Sequence, residues 1–313
     1  MTPSLDTLPF VKMNGAGNDF VVVDALSRPF APTADQARAI ADRATGQGCD
    51  QLIAIAPSDR ADAFMRVWNA DGGVVETCGN ALRCVGWMLM KSTGRDQVTI
   101  DTLGGPTTAR RAPGRVGSGG PGGPTTAAQD SGRVGSGGPE GPTTAAQIEV
   151  DMGPPRLDWT EIPLSEAMDT RGIELQVGPI DDPVLHTPGA VSMGNPHVVF
   201  FMDHVPDDGF VRGTGSLIEH HPMFPQGVNV GFAHVLAPDR IRLRVWERGA
   251  GLTRACGTGA CAALVAAARR GLSTRHATVI VDGGELTIDW EERTGHVLMT
   301  GPVEVERTGT LSI

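Results

Sequence analysis

The chain has 313 residues and a formal net charge of −10, with 36 acidic and 26 basic residues. This length suits two domains, and the acidic balance argues against a nucleic-acid partner because phosphate backbones repel negative surfaces. The longest apolar run, residues 260–268, is too short to span a bilayer. The sequence therefore predicts a cytoplasmic protein that binds neither nucleic acid nor membrane.

The first half of the chain alternates strand and helix patterns. Thr33 and Gln36 have the spacing of a capping box, which predicts a helix that ends at Gly46. Apolar residues at helical spacing over 80–92 predict a second helix, which Gly94 would end. Strand patterns occupy residues 21–23, 64–68, 97–101 and 148–152.

Residues 103–147 form a low-complexity insertion rich in Gly and Pro. The motif Gly-Pro-Thr-Thr-Ala begins at Gly105, Gly123 and Gly141, so its copies recur at a constant step. The copies contain too few apolar residues to stack as a solenoid. We expect a mobile loop at the tip of a strand connection, without a chemical role.

The second half repeats the alternation. An Ala-rich run after Cys256 predicts a helix to Arg270, which Gly271 would end. Residues 278–290 have the pattern of a hairpin that turns at Asp-Gly-Gly, residues 282–284. Strand patterns occupy residues 198–201, 230–235 and 241–246.

The two halves share motifs at a constant offset. An Arg-Val-Trp triplet lies before Cys78 and again before Cys256, with the same spacing from Trp to Cys in both cases. Gln51 and Asn229 are separated by the same offset as the two cysteines, and a pair of Gly-Asn motifs repeats at an offset one position shorter. The chain therefore looks like two copies of one α/β unit, related by a pseudo-twofold axis.

Cys78 and Cys256 each stand at the start of a predicted helix and are followed by Gly. A helix N-terminus stabilises negative charge and so favours the thiolate, and lowering the thiol pKa from about 8.5 to about 7 would take about 2 kcal/mol. The unpaired amides there can also hold a carboxylate. Two such thiols facing one carbon could invert its configuration by a two-base reaction.

This chemistry needs no cofactor. Lys12 and Lys91 are the only lysines, and neither lies in a context typical of pyridoxal phosphate binding. Zinc is a weaker alternative because the cysteine spacings lack the usual short ligand pairs and no nearby histidine completes a site. Neither a Cys-x-x-Cys redox pair nor a nucleotide-binding P-loop is present. The remaining thiols, which we expect to be buried structural residues, are Cys49, Cys84 and Cys261.

With these cysteines and the motifs around them, the chain resembles the diaminopimelate epimerase family from about residue 10 to about residue 301, except for the repeats. The motifs that carry the resemblance are Lys12-Met13-x-Gly15-x-Gly17-Asn18-Asp19-Phe20, Asn69-Ala70-Asp71-Gly72, Cys78-Gly79-Asn80, Gly194-Asn195-Pro196-His197, Asn229-Val230 and Glu247-Arg248-Gly249-x-Gly251-x-Thr253-x-Ala255-Cys256-Gly257-Thr258-Gly259. One departure is Ala81, where the family usually has Gly. We expect the helix start to tolerate it.

The resemblance implies a cytoplasmic isomerase that interconverts LL- and meso-2,6-diaminopimelate for lysine and peptidoglycan precursor synthesis. It implies a homodimer that uses neither pyridoxal phosphate nor a metal. The implied fold is α+β, with two pseudo-symmetric α/β domains, each a mixed sheet wrapped around a central helix, and the active site in the cleft between them. On this basis residues 1–150 form the N-terminal domain and 151–299 the C-terminal domain, and the tail strand 300–313 returns to the first.

The resemblance also implies roles for individual residues. Cys78 and Cys256 match the acid/base pair, and His197 and Glu247 match residues that modulate the cysteine pKa values. The residues that match the helix-start cradle for the reacting carboxylate are Gly79, Asn80, Gly257 and Thr258. The remaining substrate-binding residues implied by the resemblance are Asn18, Gln51, Asn69, Asn195, Asn229, Glu247 and Arg248.

Two alternatives remain at this point. A proline racemase or hydroxyproline epimerase would share the two-cysteine fold, but usually has Cys-Gly-His at the first thiol and Ser-Pro-Cys at the second. A non-catalytic thiol redox sensor or binding protein on the same fold is the alternative from another class.

Overall fold

A computed structural model describes residues 7–112 and 143–312. Its helices are α1 (Ala34–Ala41), α2 (Gly79–Thr93), α3 (Asp208–Glu219) and α4 (Gly257–Arg269). The first eight strands are β1 (Thr7–Gly15), β2 (Asn18–Asp24), β3 (Gln51–Ala56), β4 (Ala63–Asn69), β5 (Val74–Val75), β6 (Gln97–Asp101), β7 (Thr107–Arg111) and β8 (Thr143–Asp151). The remaining strands are β9 (Gln176–Val177), β10 (Leu185–His186), β11 (Gly189–Ser192), β12 (Pro196–Phe201), β13 (Asn229–Ala237), β14 (Arg240–Glu247), β15 (Gly251–Thr253), β16 (His276–Val281), β17 (Gly284–Trp290) and β18 (Val297–Ser312).

Seven strands of the first half and the last strand of the chain close into a barrel around α2. Their order is β1, β2, β3, β4, β6, β7, β8 and β18, and β18 pairs back with β1. The pairs β2–β3 and β4–β6 are parallel and the others are antiparallel, so the sheet is mixed. Helix α2 packs against β1, β6, β7, β8 and β18.

The second half repeats this order around α4. Its strand pairs alternate between antiparallel and parallel along the order β11, β12, β13, β14, β16 and β17. The first half shows the same alternation along β1, β2, β3, β4, β6 and β7. The short strands β5 and β15 occupy equivalent places, on β4 and β14. Two α/β units with a mixed sheet around a central helix confirm the fold class that the sequence predicted.

One long strand belongs to both units. The first residues of β18 pair with β17 and β8, and its later residues pair with β8 and β1. Residues 300–313, which the sequence assigned to a returning tail, lie in this strand up to Ser312. The domain limits at residues 150 and 299 remain a prediction.

Both central helices are largely buried because most of their residues are apolar. In α4 half of the buried residues are alanines, which let the surrounding strands approach closely. Helix α2 carries larger apolar side chains, and Ala81 is buried in its first turn without interrupting the helix. The apolar cores therefore surround the helix that begins at a candidate cysteine in each unit.

Most element predictions are confirmed, and two need correction. The capping box of Thr33 and Gln36 is present, but α1 ends at Ala41, before the predicted Gly46. The reason is Asp42, whose Oδ1 accepts hydrogen bonds from the amides of Ala44 and Thr45 at 2.8 and 2.7 Å and turns the chain there.

The second correction concerns the predicted insertion at 103–147. Residues 107–111 form β7 and residues 143–147 belong to β8, so both ends of that range are strands of the barrel. The loop prediction for the repeats falls on residues 113–142, outside the described residues. No helix in residues 7–112 or 143–312 is long and apolar enough to cross a membrane.

Helix α2 packs closely against β7 at Gly86, so an added methyl group there would clash. A Cβ atom built there would lie 2.5 Å from the Cβ of Ala109 on β7, whereas one on exposed Gly213 of α3 meets nothing within 4 Å. We expect Gly86→Ala to lower the free energy of unfolding by about 1–3 kcal/mol through overpacking, despite the better helix propensity of Ala.

Gly213→Ala is the matched control and should raise the unfolding free energy by up to about 1 kcal/mol. Urea denaturation of both variants measures these changes. Equal effects of the two substitutions would contradict the close packing of α2 on β7.

Candidate active site

Each candidate cysteine is the N-cap of a central helix. Cys78 precedes α2 and Cys256 precedes α4, and both have extended backbone angles, with φ of −141° and −128°. The Cys256 sulfur accepts a hydrogen bond from the amide of Gly259 at 3.3 Å, and the amides of Asn80 and Ala81 act to lower the pKa of Cys78. Each thiol therefore lies at the positive end of a helix, as the sequence predicted.

The two helix starts meet around one methionine. A Cβ atom built on Gly79 would lie 2.8 Å from Cε of Met299, and one on Gly257 would lie 3.0 Å from its Sδ. The Gly257 position is also 3.2 Å from Oδ1 of Asn80, across the boundary between the halves. Glycine at both positions lets the two helix starts approach closely, and a side chain at either one would have to displace Met299.

A second contact between the halves lies beside the same cleft. The turn between β1 and β2 meets the turn between β16 and β17, where a Cβ on Gly17 would lie 2.5 Å from Cα of Gly283. The Gly283 amide donates to the carbonyl of Arg254 at 2.8 Å, two residues before Cys256. This contact therefore joins the turn that precedes Asn18 to the segment that precedes Cys256.

The polar residues of the first half form two pairs. Nδ2 of Asn80 donates to Oδ1 of Asn18 at 2.6 Å, and Nε2 of Gln51 donates to Oδ1 of Asn69 at 2.9 Å. Oδ1 of Asn80 and Oε1 of Gln51 are buried and have no hydrogen-bond partner among the described residues. Because an unpaired buried oxygen is costly, these two atoms are available to a ligand.

The second half supplies a connected set at the other helix start. Nδ2 of Asn195 donates to Oγ1 of Thr258 at 3.3 Å, and its Oδ1 lies 3.0 Å from Nε2 of His197. Asn229 is held between two backbone groups, since its Nδ2 donates to the Pro196 carbonyl at 2.8 Å and its Oδ1 accepts from the Arg248 amide at 3.0 Å.

The exposed Arg248 guanidinium has only a backbone partner among the described interactions. Its Nη1 donates to the carbonyl of Gln226 at 2.8 Å, and none of the ion pairs within residues 7–112 and 143–312 includes it. A guanidinium oriented in this way can take a carboxylate as a bidentate ligand.

Burial reverses the expected shift of the thiol pKa values. Burial raises the pKa of Cys78 to about 11, and it raises the pKa of Cys256 well above the usual range. Glu247 adds to both shifts, because its negative charge opposes a second one on either sulfur. At both sulfurs desolvation therefore outweighs the helix amides.

Of the two other groups expected to modulate the thiols, His197 is buried and Glu247 is half-buried. Oε1 of Glu247 accepts a hydrogen bond from Oγ1 of Thr253 at 2.5 Å, and burial raises the pKa of this carboxyl. Burial and the charge of Arg248 lower the pKa of His197 to about 3, so its imidazole is neutral near pH 7.

The structure adds residues that sequence reasoning missed. Oδ2 of Asp50 lies 3.5 Å from Nδ2 of Asn18. Thr253 donates a hydrogen bond to Glu247, and Met299 contacts both helix starts. Asp50 directly precedes Gln51, which could have drawn attention to it. Met299 carries no sequence signal because its role depends on the meeting of two distant helices.

Comparison with solved structures first defines the class of fold. A hydroxyproline epimerase from Agrobacterium vitis, solved with bound trans-4-hydroxy-L-proline, matches with a TM-score of 0.64 and 16% identity, covering 97% of this chain and 91% of that chain. A predicted epimerase from Pseudomonas aeruginosa matches with a TM-score of 0.60 and 14% identity, covering 98% and 99%. The chain has the fold of these two-unit epimerases.

Sequence comparison then identifies the family. The diaminopimelate epimerase model matches residues 10–112 and 189–306. Diaminopimelate epimerase of Caulobacter vibrioides is 54% identical over 309 residues, covering 96% of both chains, and that of Phenylobacterium zucineum is 55% identical over 305 residues, covering 97% of both. The chain belongs to the diaminopimelate epimerase family.

The burial of the thiols predicts their reactivity. Cys78 is half-buried, whereas the other four cysteines are buried, so iodoacetamide should label Cys78 first. Because the thiolate is the nucleophile and its pKa is raised, labelling at about pH 8 should be slower than for a free thiol and should still increase at about pH 10. Mass spectrometry of digested samples measures the rate.

Cys78→Ser identifies the labelled site, and protein unfolded in urea gives the reference rate of a free thiol. A labelling rate that reaches its plateau near pH 7 would contradict the raised pKa.

Proposed function

We propose that this chain is a cofactor-independent isomerase that interconverts LL- and meso-2,6-diaminopimelate, with Cys78 and Cys256 as its two bases. The observation that carries the proposal is the meeting of two helix starts, each capped by a cysteine, around the side chain of Met299. Membership of the diaminopimelate epimerase family supports the choice of substrate.

The proposed reaction moves two protons. One sulfur, as a thiolate, takes the proton from the α-carbon, so that the Cα–H bond breaks and an S–H bond forms. The thiol on the opposite side gives its proton to the other face of the same carbon, which inverts the centre. The charges on the two cysteines are then exchanged, and proton exchange with water restores the starting pair.

The helix starts would stabilise the intermediate. The electron pair left on the α-carbon delocalises into the carboxylate, and we assign this group to Gly79 and Asn80 on α2 and to Gly257 and Thr258 on α4. Backbone amides at a helix N-terminus hold such an anion without reorganising during the reaction. The contact of 3.2 Å between the Cβ position of Gly257 and Asn80 supports a shared site.

Glu247 has two effects in this proposal. Its charge raises the pKa of both thiols, so each thiolate, once formed, is a stronger base towards a weakly acidic α-proton. An α-ammonium group bound by Glu247 would offset that charge and favour the thiolate when substrate is present. His197, which is neutral, fixes the amide of Asn195 at 3.0 Å.

The remaining polar residues suit the second amino-acid end of diaminopimelate. We assign the distal carboxylate to Arg248, whose guanidinium has no acidic partner among the described residues. The distal and proximal polar contacts are assigned to Asn18, Gln51, Asn69, Asn195 and Asn229. The unpaired buried oxygen of Gln51 supports the binding of a donor such as an ammonium group.

Hydrogen exchange tests the two-base reaction. Reduced protein in deuterium oxide should incorporate deuterium at the α-carbon of diaminopimelate and equilibrate the LL and meso isomers. Cys78→Ser and Cys256→Ser should each lower the interconversion at least about 100-fold, because a serine hydroxyl is a far weaker acid than a thiol. Nuclear magnetic resonance and chiral chromatography follow the two processes.

Cys49→Ala is the control, since this buried thiol takes no part in the proposal, and its turnover should stay near that of the unaltered chain. Full interconversion by either serine variant would rule out the two-base assignment. Exchange with proline or hydroxyproline, and none with diaminopimelate, would indicate the alternative racemase.

The homodimer and the cytoplasmic location belong to the same proposal. All five cysteines are free thiols, which is typical of a reducing compartment. We expect light scattering after size exclusion to give twice the chain mass of 32.7 kDa. A monomer at every concentration tested would contradict the dimer and leave the reaction assignment unaffected.

A further inference from the structure

Arg83, in the second turn of α2, has a completely buried side chain with an incomplete set of partners. Its Nη1 lies 3.5 Å from Sδ of Met299, a weak acceptor, and its Nε and Nη2 have no hydrogen-bond partner within residues 7–112 and 143–312. None of the ion pairs in the described part of the chain includes it. Burying such a charge costs several kcal/mol, so the stability of the fold alone gives no reason for it.

The strands around Arg83 leave room for the guanidinium, and those the structure describes supply no negative charge to it. A Cβ atom on Gly301 of β18 would lie 3.1 Å from its Cζ and Nε, and one on Gly15 of β1 would lie 3.3 Å from its Nη2. The guanidinium therefore packs between two bare backbones and a thioether. Any side chain at these glycines would press on the guanidinium.

The titratable groups that face Arg83 are thiols. Cys78 and Cys84 belong to its own helix, and Cys261 belongs to α4. Cys261 stands at the position equivalent to Arg83, because each follows its helix-start cysteine at the same spacing in the sequence. The repeated units thus bring a cation of one central helix opposite a thiol of the other.

Only one of these thiols reaches the cleft. Cys84 and Cys261 are completely buried, and burial raises the pKa of each to about 12, so both are neutral. Cys78 is half-buried and lies at the helix start that we assign to the substrate carboxylate. Among these thiols, a negative charge near Arg83 therefore arises only when Cys78 loses its proton.

We propose that Arg83 is a positioning residue for the reaction, whose buried guanidinium supplies the positive charge that offsets the thiolate formed on Cys78. This rests on the proposed two-base function. Glu247 faces the same sulfur from β14 and opposes the thiolate, and the amides of Asn80 and Ala81 support it from α2. Arg83 adds a full charge from the buried interior, where water cannot screen it.

The pH dependence of Cys78 alkylation measures how the charge of Arg83 affects the pKa of this thiol. In Arg83→Met, the pH midpoint of Cys78 alkylation should move upwards by at least about one unit, which lowers the labelling rate about tenfold at pH values below the midpoint. The pH profile of kcat should move in the same direction while KM changes little. Arg83→Lys keeps the charge and should recover most of the labelling rate.

Thermal unfolding separates this role from a packing role. Met replaces a poorly partnered buried charge with an apolar chain, so Arg83→Met should melt no lower than the unaltered chain. Should it fail to fold, Arg83→Gln is a second neutral variant for the same labelling experiment. A neutral variant whose Cys78 midpoint and kcat profile are unchanged would overturn the proposal, whatever its melting temperature.

The labelling experiment contains no amino-acid substrate, so it also distinguishes the two proposals. If the unaltered chain does not turn over diaminopimelate but the midpoint still moves in Arg83→Met, the proposed function fails and the charge effect stands. If turnover is present and the midpoint does not move, the role of Arg83 fails and the proposed function stands.

Discussion

The architecture depends on the meeting of two helix starts, those of α2 and α4, which brings their positive ends close together. Unpaired amides at both helix starts make this arrangement unfavourable unless an anion lies between them. The protein maintains it with β18, which pairs with strands of both halves, and with Met299, which lies in that strand and touches both helix starts. The same geometry that is costly without a ligand gives an anionic substrate a binding site.

Burial is the second constraint, and it acts on the thiols against the helix amides. Burial raises the pKa of Cys78 and Cys256, and the nearby Glu247 raises both further. A thiol with a raised pKa forms less thiolate, but that thiolate is a stronger base, and removal of an α-proton requires a strong base. Positive groups that favour the thiolate, namely the helix ends and the proposed charge of Arg83, then decide how much of the base is present.

The motifs that recur at one constant offset were the most informative sequence feature. They predicted two units, and the strand pairing confirms this because equivalent strands pair in the same order and direction. The end of α2 was predictable from its glycine stop signal, Gly94, which has φ of 69°. The end of α1 was not, since the Asp42 side chain competes locally with the helix.

By itself the sequence determined which groups can react, because cysteine followed by glycine at a helix start is a local pattern. It also determined that the pattern occurs twice. Only the tertiary structure decided that the two helix starts meet, that burial outweighs the helix dipole at the thiols, and that Arg83 is enclosed without a carboxylate from the described residues. Those outcomes depend on desolvation and on contacts between residues far apart in the chain, and neither can be deduced from a local pattern.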